Sequence, residues 1–527
     1  MTHNSNSLVK LLKNTMNVAF ATIISRILGF IRVILEARIL GGEVLASAWF
    51  LAFMIPNSLR RILGEGAMGS VIVPLLSEDN SKNNIRTVRI KIAKILLSVA
   101  WILTAITLLV ITAVFSLKFN LESISDKNRI LFEILPIIMP YSIFICLCGI
   151  IGSILNLKKV FFLPALGALS LNVFLISSLL IIPNFCKNNQ ILIVKLLAFM
   201  VVSSGIVQLY YFFIIMAKNN CLPLFKFSEF KNHHFFKEFW KMFLPALLGT
   251  SALQIGLIID KSLAYSISEQ ALPSLTYSDR IIYLPIGVFA VAFGSVSLSY
   301  LSSYAAQNRY SEMVEALFYG LKSLFYICAP CVALIALLRN EIISLICLGG
   351  NFNISDLKET SFAIIFYVWG IPFFASLKIL TAAFYSRKDM KTPLYISLVC
   401  IAVNIILNII LMFPLKQGGL ALATTISSLL NNSLLIYFLN KHLKIEKKIF
   451  KNFILTIVKI ILVNSIIITI IIAFIKFFDI KVELGNKLYE AFFISAIGVS
   501  FAVLYLFLSL IFKINEAKEV LKIFKKV

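Results

Sequence analysis

Charge is scarce in this sequence. Charged residues make up 14% of its 527 positions. A soluble globular chain carries about a quarter of its residues charged, so a water-soluble fold is excluded. Histidine is rarer still. His3, His233, His234 and His442 all fall outside the apolar runs, which leaves a metal centre without imidazole ligands. The eight cysteines are scattered. Cys328 and Cys331 form a C-x-x-C, but inside an apolar run with Pro330 between them. A redox or metal pair needs polar access and further ligands, so ordinary packing is the reading. No Asp-rich motif, helix with paired histidines or nucleophile–base set occurs either, which argues against an enzyme working by metal-assisted or nucleophilic chemistry.

What the chain has instead is apolar length. Apolar residues make up 60% of it. Runs near the ~20 residues that a helix needs to cross about 30 Å of hydrocarbon recur from end to end. Lipid offers no partners for backbone polar groups, so only helices or a closed barrel can span it. The runs are continuous and lack period-2 alternation, which selects helices. The pattern predicts an all-α polytopic membrane protein of about 14 spans. They lie near 15–40, 45–77, 90–117, 130–156, 161–182, 191–216, 241–266, 272–302, 313–338, 360–384, 393–413, 418–439, 452–475 and 489–512. The first run carries Arg26, Arg32, Glu36 and Arg38 and has no small-residue cleavage site, so it reads as a retained helix and not a signal peptide.

The net charge of +24 invites a nucleic-acid partner, and its distribution argues against one. Lysine and arginine gather in alternate connections: Lys82 to Lys94, Lys158 and Lys159, Lys218 to Lys237, Arg387 to Lys391, Lys441 to Lys451, and the tail from Lys513. The intervening connections are poor in base or mixed in sign. That alternation places both termini in the cytoplasm and makes the span number even.

The chain repeats itself. Gly69 to Ser77 (GSVIVPLLS) resembles Gly294 to Ser302 (GSVSLSYLS), and the hinge before Pro164 matches that before Pro393. The offsets, 225 (294 − 69) and 229 (393 − 164), nearly agree. An offset of six helices preserves orientation, which implies parallel repeats about an axis along the membrane normal. The expected organisation is an N-lobe over 1–220 (spans 1–6), a C-lobe over 221–450 (spans 7–12), and spans 13–14 with a cytoplasmic tail over 451–527. The two six-helix lobes would face a central cleft.

Ionisable residues at membrane depth are costly, so their positions carry information. Span 1 holds Arg26 and Arg32, span 2 holds Arg60, Arg61 and Glu65, span 7 holds Asp260 and Lys261, and span 8 opens with Asp279 and Arg280. Arg38, Arg61 and Lys261 can snorkel or pair locally. Arg26 lies about 17 Å along span 1, too deep to snorkel easily. The few acids cannot neutralise all of these arginines. A guanidinium cluster in a cleft suits a phosphate or diphosphate through bidentate bonds. Gly29, Pro56, Gly64, Gly66, Gly69 and Pro74 predict bent or broken helices around it. A second constellation joins Asp260 to Asn404, Asn408 and Thr424. Asn404 and Asn408 share a helix face. One carboxylate, two amides and a hydroxyl could cage a small cation, and interhelical hydrogen bonding is the competing reading.

Four stretches carry a resemblance: SRILGFIRVILEARILGG at 25–42, PNSLRRILGEGAMGSVIVPLLSE at 56–78, YSDRIIYLPIGVFAVAFGSVSLSYLS at 277–302 and AFYSRKDMKTP at 383–393. They resemble the MurJ (MviN) family of lipid II flippases, in the MOP exporter superfamily. The resemblance implies translocation of lipid II, an undecaprenyl-diphosphate-linked peptidoglycan precursor, from the inner to the outer leaflet of the bacterial inner membrane by alternating access. Arg26, Arg32, Arg60 and Arg280 match the family's cavity arginines. Ser25, Asn57, Arg61, Glu65 and Asp279 are candidate supporting residues. Asp260, Asn404, Asn408 and Thr424 match a sodium site found in some members, which would make Na+ a coupling ion. No other cofactor is implied. The resemblance further implies a groove for the lipid tail at spans 13–14, a functional monomer, and contact with the cell-wall synthesis machinery. The chain departs from the family pattern at Val33 and Ser47, where aspartates are usual, and the loss makes the expected cavity more positive. A flippase for another polyprenyl-linked oligosaccharide shares the architecture. A multidrug or cation exporter of the superfamily would instead need acids where this chain has arginines.

Overall fold

The computed structural model describes residues 2–66, 68, 71–72, 75–76, 84–120, 125–158, 160–167, 169–186, 189–225, 233–287, 291–480 and 482–524. Among them there is no strand, and the one bridge noted joins Gly349 to Phe352. Among the described residues, eight helices are long and apolar enough to cross a membrane, or nine with one bent pair counted as a span. The chain divides into two compact units, Met1–Tyr265 and Ser266–Val527.

The first unit contains α1 (Thr2–Leu40), α2 (Val44–Leu59), a π-helical segment (Arg60–Gly66), α3 (Ile85–Asn120), α4 (Asp126–Ile138), α5 (Tyr141–Leu157), α6 (Phe162–Gly167), α7 (Leu169–Phe185), α8 (Gln190–Lys218) and α9 (His233–Ile267), which ends at the division. Two irregularities follow from local sequence. Proline at position 140 has no N–H to donate, and α4 and α5 meet there at 47°. Pro56 and the glycines at 64 and 66 loosen the ladder after α2, where the backbone widens into the π segment. That segment then packs backbone to backbone on α5. A Cβ on Gly149 would stand 2.7 Å from the Gly64 carbonyl oxygen, so only glycine permits the approach.

The second unit contains α10 (Ala271–Pro285), α11 (Val291–Ala306), α12 (Tyr310–Leu337), α13 (Arg339–Cys347), α14 (Ile354–Tyr367), α15 (Ile371–Ser386), α16 (Lys391–Leu443), α17 (Lys447–Phe477), α18 (Lys487–Ile511) and α19 (Asn515–Phe524). At 53 residues α16 would reach about 80 Å if straight, far beyond one bilayer crossing. It is instead a hairpin broken at Lys416, whose φ of 47° and ψ of −130° are not helical. Eight residues along a straight helix span about 12 Å. Here a Cβ on Gly419 would lie 2.2 Å from the Leu411 carbonyl oxygen. The Ser427 hydroxyl also donates to the Cys400 carbonyl at 2.7 Å, so the arms run antiparallel. The sequence-predicted spans 393–413 and 418–439 are these two arms.

The last two long helices dock on α12. Tyr505 donates to the Tyr326 carbonyl at 2.8 Å, and Phe453 packs edge-on against Phe318 and Phe325. Outward faces carry residues such as Leu109, Phe199, Ile410 and Phe507, all exposed, as a lipid-facing surface requires.

The repeat seen in sequence recurs in helix boundaries. A shift of 229 residues (386 − 157) carries the end of α5 onto the end of α15, and the same shift (391 − 162) carries the start of α6 onto that of α16. π-type backbone recurs at Ile286 and Gly287. The earlier repeat offset of 225 residues carries Arg61 and Ile62 of the first π segment onto these positions.

Candidate substrate-binding site

Arg32 is the best-defined member of the site. It is 7% exposed on α1, so its charge is held away from bulk solvent. Its Nη1 donates to Asn172 Oδ1 on α7 at 3.2 Å. The Asn172 amide in turn donates to the Ser25 carbonyl at 3.2 Å, which ties the depth of α1 to α7. The guanidinium carbon lies 5.6 Å from the centroid of the Phe53 ring on α2, a cation–π contact. One helical turn along, Glu36 is 3% exposed and its Oε1 lies 3.5 Å from Arg32 Nε. The same oxygen accepts from Trp49 Nε1 at 3.3 Å, and Trp49 stacks on Phe53. The sequence reading left the arginines with too few acids. For Arg32 the structure supplies one, Glu36.

Arg26 lies on α1 one and a half turns earlier, exposed and, among the described residues, without a hydrogen-bond or ion-pair partner. Arg60 opens the π segment, half-buried, and its Nε donates to Asn57 Oδ1 at 3.1 Å. Arg61 is exposed. The side chain of Glu65 lies outside those described.

In the second unit, Arg280 and Tyr283 sit one turn apart on α10 and are both exposed, and Tyr283 stacks on Phe374 of α15 at 6.1 Å. Asp279 beside them is half-buried. Three residues of the candidate cation cage meet across the α16 hairpin. Asn404 Nδ2 approaches Thr424 Oγ1 at 3.5 Å, and Asn408 Nδ2 donates to Asn404 Oδ1 at 3.2 Å. The fourth, Asp260, lies on α9 of the first unit.

Sequence reasoning did not single out Glu36, Trp49, Phe53 or Asn172. Glu36 had a legible signal, an acid four residues after an arginine and so on the same face. Asn172 had none, because its role depends on which helix packs beside α1.

Residues 36–489 match the family described as lipid II flippase MurJ. The probable lipid II flippase MurJ of Buchnera aphidicola subsp. Acyrthosiphon pisum is 31% identical over 81% of this chain and 83% of its own length. That of Vibrio cholerae is 28% identical over 81% of this chain and 82% of its own length. A solved structure, a lipid II flippase MurJ in an inward closed conformation, superposes with a TM-score of 0.74 at 26% identity, covering 94% of this chain and 98% of that one. An inward-facing multidrug resistance MATE transporter of the MOP superfamily gives 0.63 at 15% identity over 81% of this chain and 98% of that one, a likeness of fold alone. The chain belongs to the MurJ family of lipid II flippases.

Proposed function

We infer that the chain translocates lipid II across the bacterial inner membrane, from the inner to the outer leaflet, and that its arginines hold the diphosphate on the way. It is a transporter and not an enzyme. The observation that carries the substrate reading is Arg32. It sits buried on α1, and its Nε has no hydrogen-bond partner among the described residues. A guanidinium so placed suits an anion with several oxygens, and a diphosphate supplies them. Arg26 is open to contribute, and Arg280 is proposed to contribute from the second unit. The headgroup would be exposed to each side in turn, with the membrane potential or an ion gradient as the drive.

We extend the proposal to Na+ as coupling ion, held by Asp260, Asn404, Asn408 and Thr424. The oxygens of these side chains suit a hard cation. The lysine and arginine pattern supports cytoplasmic termini. The lobes over 1–220 and 221–450, a tail groove at 451–527, a functional monomer and contact with the cell-wall machinery complete the reading.

The test is replacement. A bacterium depleted of its own lipid II flippase would express this chain, and intact cells would be treated with an enzyme that cleaves lipid II only from outside. Cleavage with the wild type, lost in Arg26→Ala and Arg280→Ala at equal membrane abundance, is the expected result. No cleavage with well-expressed wild type would sink the lipid II reading and favour another polyprenyl-linked substrate.

A further inference from the structure

We propose that Glu36 is a resident counter-ion for Arg32, a positioning residue that gives up the guanidinium when a diphosphate arrives. The proposal rests on the reading that Arg32 takes the diphosphate of the lipid substrate.

Three observations carry it. Arg32 and Glu36 are both buried, 7% and 3% exposed, so neither charge could stand alone there. The pair is nevertheless loosely made. Glu36 Oε1 stands 3.5 Å from Arg32 Nε, and that nitrogen has no hydrogen-bond partner among the described residues. A structural arginine–carboxylate pair is usually a two-bond fork of shorter contacts. Here Glu36 supplies charge balance and leaves the donor unmet. Arginine preceding glutamate by four residues is also the weaker order on a helix, so helix formation alone does not explain the pair.

The other contacts allow an exchange. Asn172 and the Phe53 ring hold the guanidinium without using its Nε. Trp49 Nε1 holds the Glu36 carboxylate independently of Arg32. Arg32 Nε is closed to solvent in this structure, so a diphosphate meets it once the surrounding helices part, while Trp49 retains the displaced carboxylate. Replacing one anion by another leaves no step at which a bare guanidinium is buried. The exchange also keeps binding from becoming too tight, because Glu36 competes for Arg32 when the substrate must leave. The positions where the family pattern has aspartates are here a buried Val33 and a buried Ser47. Among the described residues, Glu36 is the acid that touches Arg32.

The test is calorimetric titration of the purified full-length chain with inorganic pyrophosphate. Glu36→Gln keeps the shape and removes the charge, and its Kd should fall about tenfold. Glu36→Asp keeps the charge and should bind as wild type does. In the replacement assay Glu36→Gln should bind more tightly yet deliver less lipid II outward, because release slows. If Glu36→Gln does not yield folded protein, Glu36→Leu carries the same expectation. Unchanged or weaker pyrophosphate binding in the neutral variant, with binding abolished in Arg32→Ala, would overturn the counter-ion role and leave the diphosphate reading standing. Wild-type binding in Arg32→Ala would overturn both.

Discussion

Asn404 and Thr424 face each other across the α16 hairpin, 20 residues apart in the chain and 3.5 Å apart at Nδ2 and Oγ1. With Asn408 they form a row of amides and a hydroxyl in a helix pair that is otherwise largely apolar. If these oxygens help to hold Na+, the ion stabilises the folded protein by mass action. The purified chain should then melt at a higher temperature in NaCl than in KCl, and Asn408→Ala should abolish the difference. Equal melting in the two salts would assign the row to interhelical hydrogen bonding alone.

Arg26 and Arg32 should fail differently when cut to alanine. Arg26 is exposed, so Arg26→Ala should lose outward delivery of lipid II by at least about tenfold with little change in Tm. Arg32→Ala leaves Glu36 buried without its ion-pair partner, which should cost about 3–5 kcal/mol of stability as well as activity. Paired melting and replacement assays separate the two. A large loss of Tm in Arg26→Ala would show that its side chain is structural.

The hairpin depends on one missing side chain. Alanine at Gly419 would put Cβ 2.2 Å from a backbone oxygen, which cannot rotate away. Gly419→Ala should destabilise by at least about 2 kcal/mol. Gly498 on α18 has nothing within 4 Å of its would-be Cβ, so Gly498→Ala should be neutral or gain up to about 1 kcal/mol from helix propensity. Thermal melts of the two variants test the pair, and equal effects would mean the hairpin closes in some other way.

The long helices were legible because hydrocarbon thickness dictates run length, although among the described residues eight or nine helices, against the 14 spans expected, are long and apolar enough to cross a membrane. The breaks were legible in part. Pro56, Gly64 and Gly66 marked a disturbed region, but not that it would take π geometry or that Gly64 would meet Gly149. The arginines stood out because charge is costly in a membrane. Their surroundings did not. Whether Arg32 met solvent, Glu36 or Asn172 depended on helix rotation and on the packing of α7 against α1, neither of which an apolar sequence encodes locally. Asn404 and Asn408 were placed correctly on one face by their spacing, and Thr424 joined them because the turn between the arms is short.

One half-buried acid, Glu341, makes stability depend on pH. Glu341 on α13 lines a cavity of 180 Å³ with Leu337, Ile475 and Phe493. Burial pushes its carboxyl above the ordinary range; Arg339 opposes this and nearby Glu490 adds to it. Glu490 on α18 is fully buried, its Oε1 accepting from the Ser344 hydroxyl and, at 2.7 Å, from the Gly485 amide. Each acid has one buried oxygen without a hydrogen-bond partner among the described residues. The fold thus favours the neutral form of Glu341. Its contribution is fully present below the unfolded value, near 4.5, and is lost as pH rises through the raised folded value. Lowering the pH from 7 toward 5 should therefore raise the Tm of the wild type relative to Glu341→Gln, which carries no proton to lose. At pH 7 the variant should be the more stable of the two. Parallel melting curves for the two proteins across that range would mean that Glu341 titrates as it does in water, and that the contact between α13 and α18 does not depend on its proton.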